Sequence, residues 1–198
     1  MGNSFVLSYQ TTAPNESILL PLYGNVNVNV LWDDGSNNTY TNSGDKTHIY
    51  TTPGTYTVSI SGTLERFGNG LDTTTTYQNK LIAVISFGEI GLTSLSGAFN
   101  GASNLVSVPV YLPTSITSLK YTFYYATSFN DPNIISWDTS NITDMSYTFF
   151  YATSFTQNLE NWNKSNVIYQ YFMFYGSGTY EQNEELILSK VLNFAEPV

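Results

Sequence analysis

Residues 25–30 alternate without a break, placing Val26, Val28 and Val30 on one side of an extended chain and Asn25, Asn27 and Asn29 on the other. That period of two belongs to a half-buried strand. It returns at Tyr56, Val58 and Ile60, set against Thr55, Thr57 and Ser59. Between the two runs, "DDGSNN" and Pro53-Gly54 supply turn chemistry, because Asp and Asn side chains bond nearby backbone and Gly tolerates positive φ. With "FVLSYQT" and "SILLPLYG" ahead of them, these runs predict short strands joined by tight turns. The expectation for residues 1–66 is a small antiparallel β-sandwich, in a chain that is mainly β.

Further along, the pattern changes its period. "YTFYYATSF" at 121–129 and "YTFFYATSF" at 147–155 agree in eight of nine letters. A short motif recurs as Leu92–Leu95, Ile116–Leu119 and Ile142–Met145, and in weakened form from Val167. Five residues before each start stands an aromatic, giving Phe87, Tyr111, Trp137 and Trp162. A second column holds Phe99, Phe123 and Phe149, and continues to Met173 or Phe174 after a one-residue slip. A third holds Leu81, Leu105, Phe129 and Phe155.

Steps of 24 to 26 residues fall in the leucine-rich-repeat range. One such unit cannot cover its own apolar face, whereas stacked units bury each other's. The columns are therefore expected to be rungs of a shared core in a solenoid of about four coils over 81–180. Ala126 and Ala152 are small enough to let neighbours approach. Tyr124 and Tyr125, where Tyr124 alternates with Phe150, are the candidate contact residues for a sugar or another protein.

Residues 67–80, with "FGNGLDTTTTYQNK", read as a linker or loop. Residues 181–198 place Glu181, Glu184 and Glu185 early and Lys190 late, an order that suits a helix dipole and predicts a C-terminal cap helix.

Charge and chemistry narrow the function. The 198 residues carry a net charge of −9 with six basic residues, which argues against binding nucleic acid or anionic lipid. No basic n-region precedes either early apolar run, and neither is long enough to span a bilayer, so neither a signal peptide nor a transmembrane segment is expected. There is no cysteine and one histidine. Asp33, Asp34 and Asp45 resemble an oxygen-ligand cluster in kind, yet they sit in turns without ligand-loop spacing, and His48 lies beside a strand without a nucleophile. Asp138, Asp144 and Glu160 are the carboxylates available to acid–base hydrolysis; the first two fall inside the repeat motif, where turn hydrogen bonding explains them. No enzyme activity, cofactor or metal site is expected.

Two resemblances sharpen this reading. Trp32-Asp33-Asp34-Gly35 and the run His48-Ile49-Tyr50 through Pro53-Gly54-Thr55-Tyr56-Thr57-Val58 resemble a PKD domain, an immunoglobulin-like sandwich, except that Asp33 stands where Gly is usual. Trp137 through Ser146, followed by Phe149, Ala152 and Phe155, resemble the BspA-like leucine-rich repeats, the mycoplasma surface lipoprotein type, except for Thr148 where Met is usual. The resemblance implies recognition, adhesion or particle architecture without catalytic residues, in proteins of bacterial surfaces and of large DNA viruses. The function expected is a non-catalytic structural or interaction protein on a surface, foremost a minor or decorating capsid protein on the exterior of a large DNA virus. The alternative is a bacterial adhesin or a carbohydrate- or protein-binding module. Capsid subunits, a host-surface protein or a glycan are the expected partners.

Overall fold

The structure is a computed structural model that describes residues 3–70 and 78–179. Six strands form one antiparallel sheet: β1 (Phe5–Thr11), β2 (Glu16–Leu31), β3 (Asn37–Tyr40), β4 (Gly44–Tyr50), β5 (Gly54–Phe67) and β6 (Leu81–Ser86). Their order is β3-β2-β5-β1-β6, with β4 also paired to β2. The alternating run of 25–30 lies in β2, where Val26, Val28 and Val30 are buried and Val30 faces Ile60 of β5 in register.

β2 is long enough to serve two sets of partners. Its first part, Glu16–Leu22, pairs with β4, and its second part pairs with β3 and β5. A register shift between Tyr23 and Val26 separates the two, as bulges do where a strand bends. The result is a connected sheet that does not close on itself. Trp32, packed at the end of β2, is fully buried and its indole N–H donates to the Asn38 side chain at 2.7 Å.

From Pro132 to Ser136 a single 3-10 turn runs, capped by the Asp131 carboxylate; the described chain otherwise has almost no helix. Beyond β6, successive units run side by side. Ser118 is bridged in parallel to Asp144, and Asp144 to Tyr169. Most of the bonds between units run from an earlier unit's N–H to a later unit's carbonyl, while Thr117, Thr143 and Ile168 donate back to Thr93, Thr117 and Thr143. Leu95, Gly97, Phe99 and Gly101 donate their N–H groups to Ser118, Lys120, Thr122 and Tyr124 of the next unit. Leu119, Tyr121, Phe123 and Tyr125 repeat this to Asp144, Ser146, Thr148 and Phe150. Met145, Tyr147, Phe149 and Tyr151 repeat it again to Tyr169, Tyr171, Met173 and Tyr175.

The boundary expected at residue 81 is a shared element. Leu81–Ser86 is β6, paired to β1, while its other side receives the repeats through the Ala83–Ser107 bridge and the Val84 N–H to Ser107 carbonyl bond of 2.9 Å. The end of β5 does the same, with Arg66 bridged to Ser94. A strand used on both edges leaves no break in the apolar packing, and one buried cluster runs from Phe5 to Met173. Within the expected linker 67–80, Phe67 ends β5 fully buried, and Gln78 is buried and accepts from the Tyr9 hydroxyl. Residues 71–77, and the cap expected at 181–198, lie outside the described residues.

Candidate functional site

Each repeat unit turns inward and outward at alternating aromatics, so "YTFYY" builds two structures at once. Inward, Phe99, Phe123, Phe149 and Phe174 form one column, with centroids 5.6, 5.4 and 5.6 Å apart. Phe174, not Met173, continues it. Phe129 and Phe155 stack at 5.9 Å, and Trp137 and Trp162 stack at 6.4 Å. Phe87, Phe99, Phe123, Phe149, Leu105, Phe129 and Phe155 are fully buried, and Trp137 and Trp162 nearly so. Both indoles are satisfied, donating to the carbonyls of Pro109 and Ile134. Tyr111 differs. It is half-buried, its neighbour Leu112 is buried, and Phe87 meets its ring edge-on at 6.5 Å while also meeting Trp137 at 5.8 Å. The Tyr111 hydroxyl reaches Ser86 at 3.4 Å, a polar contact that the column interior would deny it.

Outward, the same units present three further columns. Tyr121 stacks on Tyr147 at 4.9 Å, and Tyr147 on Phe172 at 5.6 Å. Tyr124 stacks on Phe150 at 4.9 Å, and Phe150 on Tyr175 at 5.3 Å. Tyr125 stacks on Tyr151 at 5.1 Å. Of the two candidate contact residues, Tyr124 is half-buried between neighbours and Tyr125 is exposed. Tyr151, Tyr171, Phe172 and Tyr175 extend the exposed aromatic surface to the last unit. The Tyr175 hydroxyl, and after it burial, push the Tyr151 phenol above its ordinary value.

Backbone geometry marks this face as unusual. Tyr121, Tyr125, Tyr147, Tyr151 and Phe172 have φ between 48° and 58°, a left-handed region that costs an L-residue about 1–2 kcal/mol. In the same register of the flanking units stand Gly97, Gly101 and Gly176, also at positive φ. A stacked aromatic pair returns about 0.5–1.5 kcal/mol. The two terms nearly cancel, so bulky rings at these sites bring the fold little net stability. Residues kept in costly conformations gather at functional surfaces, which singles out these rings. The sequence reading missed Tyr121, Tyr147 and Tyr151. The signal was the glycine at the matching position of the outer units.

The stacking also selects a ligand class. A sugar ring binds an aromatic by its face, but within the columns the faces lie against each other. What remains open is ring edges and phenol hydroxyls. Such a surface, apolar with scattered hydrogen-bonding groups and low side-chain entropy, is that of a protein-binding patch.

The other candidate groups are occupied in turns. Asp138 and Asp144 accept the N–H groups of Ser140 and Ser146, and Glu160 holds the Asn158 amide. The Ser140 N–H keeps the Asp138 carboxyl below the usual carboxylate range. Asp33 accepts from the Thr57 N–H and Asp45 from the Tyr23 hydroxyl. Asp34 meets His48 at 2.7 Å, and the His48 ring stacks on Trp32 at 4.4 Å. Partial burial opposes ionisation of Asp34, but hydrogen bonds from Ser36 and His48 outweigh it and hold its pKa at about 2. Among the described residues no group of three or more His, Cys, Asp or Glu is placed to hold a metal ion, and no helix is long and apolar enough to cross a membrane.

A family model described as "Mycoplasma protein of unknown function, DUF285" matches residues 93–196, more than half of the chain. No curated protein matches significantly, and no solved structure does.

Proposed function

The chain belongs to the DUF285 family, and from that footing we propose that it is a non-catalytic interaction protein that docks another protein through its outer aromatic columns. The repeat units are read as coils of a short leucine-rich-repeat-like solenoid. The sheet is read as a PKD-like sandwich in which β2 passes from one layer to the other. The observation carrying the proposal is the row of left-handed tyrosines, Tyr121, Tyr125, Tyr147 and Tyr151, held exposed or half-buried where flanking units use glycine.

The proposed setting is the exterior of a large DNA virus particle, as a minor or decorating capsid protein facing capsid subunits. The family's description as a Mycoplasma protein favours a second reading, a bacterial surface protein that engages a host protein. Cosedimentation of the wild-type chain and a Tyr125→Ser/Tyr151→Ser variant with purified particles or cells from the native source tests the proposal. Docking lost in the variant, with unfolding unchanged, supports it. Equal docking by both proteins refutes it.

A further inference from the structure

The three outer columns differ in one chemical respect. Two of them set tyrosine on tyrosine across neighbouring units: Tyr121 on Tyr147 at 4.9 Å and 19° from parallel, Tyr125 on Tyr151 at 5.1 Å and 17°. In the middle column Phe150 lies between Tyr124 and Tyr175, so no two phenols stack there. Each tyrosine pair is held from its backbone. All four residues share the left-handed conformation, and the Tyr121 and Tyr125 N–H groups donate to the Ser146 and Phe150 carbonyls, one residue before Tyr147 and Tyr151. Equal position, equal backbone and near-parallel planes bring the ring carbons beside one hydroxyl next to those beside the other.

Two phenols kept in this relation are set up for oxidative coupling, because a held pair replaces a chance encounter of two radicals. We propose that Tyr125–Tyr151 and Tyr121–Tyr147 are dityrosine cross-linking sites that staple adjacent repeat units, with hydrogen peroxide activated by a haem peroxidase as the oxidant. Each phenol gives one electron and its hydroxyl proton to the oxidant. The two ring radicals join by a new C–C bond between carbons ortho to the hydroxyls. The hydrogens on those carbons move to the oxygens, which restores both phenols. The peroxide takes up two electrons and two protons and leaves as two waters. This role goes beyond the docking reading and does not depend on it.

Access and geometry separate these pairs from the other tyrosine contacts. Tyr125 and Tyr151 are 38% and 36% exposed, so their protons can leave to water, and Tyr121 and Tyr147 are half-buried. Tyr151 also meets Tyr175, but edge-on at 74°, which turns the edge of one ring to the face of the other. Among the described residues one further tyrosine pair is near-parallel, Tyr50 and Tyr56 at 3.6 Å. There Tyr50 is buried and its hydroxyl donates to the Trp32 carbonyl, so that proton has no route to solvent.

The full chain is treated with hydrogen peroxide and a haem peroxidase, and the monomer is isolated. It should carry dityrosine fluorescence. Trypsin with an aspartate-specific protease frees residues 121–130 and 144–164, and mass spectrometry should recover them joined, short of two hydrogens per link. Tyr147→Phe/Tyr151→Phe keeps the kind of stacking that Phe150 and Phe172 already make. This double variant should lose about tenfold or more of the monomer's dityrosine, because the yield rests on proximity. Tyr124→Phe should leave it unchanged. Dityrosine confined to dimers and larger species would overturn the proposal. So would an equal yield in the double variant, or a link at Tyr50–Tyr56 instead.

Discussion

The rings of Phe123 and Phe149 lie 5.4 Å apart and within 1° of parallel, although a whole repeat unit separates them in the chain. Both are fully buried. Outside them, Tyr121 and Tyr147 repeat the same stacking at 4.9 Å on an accessible face. One nonapeptide thus supplies an interior rung and a surface rung in both units that carry it, and the two should respond differently to substitution.

Removing an interior rung opens a cavity. Phe149→Ala is expected to cost about 3–5 kcal/mol of unfolding free energy, measured by urea titration. A loss under about 1 kcal/mol would mean that the ring is no part of the core.

The left-handed backbone of the outer columns gives a comparison within one site. At Tyr147, with φ of 58°, glycine relieves strain that alanine keeps. Tyr147→Gly should therefore be more stable than Tyr147→Ala by about 1 kcal/mol, the reverse of the order in a strand or helix. Gly176→Ala should destabilise, because its Cβ would stand 2.8 Å from the Tyr151 ring. Thermal unfolding of the three variants checks both statements.

Asp34 gives the pH dependence its sign. A carboxyl held at about 2 in the fold contributes stability fully above its unfolded value of about 3.9 and loses it as pH falls toward 2. The stability gap between wild type and Asp34→Asn should be largest near neutral pH and narrow toward pH 2. Its size is limited by solvent screening, since the pair is partly exposed. A gap independent of pH would remove the carboxylate from the account.

Docking through neutral rings should depend little on salt. Affinity for the partner is expected to change less than about threefold between 0.1 and 0.5 M salt, because exposed charges are already screened at about 10 Å at the lower value. Affinity measured at the two concentrations decides this, and a steep loss would point to a charged site elsewhere.

Much of this architecture was legible in the chain. Side-chain volume must recur wherever units share a core, so Phe99, Phe123 and Phe149 could be placed in one column by counting. Tyr111 shows the limit of counting, since its spacing matches Trp137 while its hydroxyl is drawn to Ser86 and Leu112 is buried beside it. The double use of Leu81–Ser86 was hidden because a strand paired on both sides reads as a plain apolar run. Positive φ at Tyr121 and Tyr125 runs against residue preference, so only the glycines in register with them carried that information. The pattern of hydrogen bonds between units leaves no mark in residue type at all.

The most direct test is a measurement of contacts between ring protons by NMR in protein selectively labelled at Phe and Tyr. The account predicts cross-peaks linking Phe123 to Phe149 and Tyr121 to Tyr147, with the first pair shielded from solvent and the second in contact with it. Absence of both cross-peaks in the folded protein would contradict it.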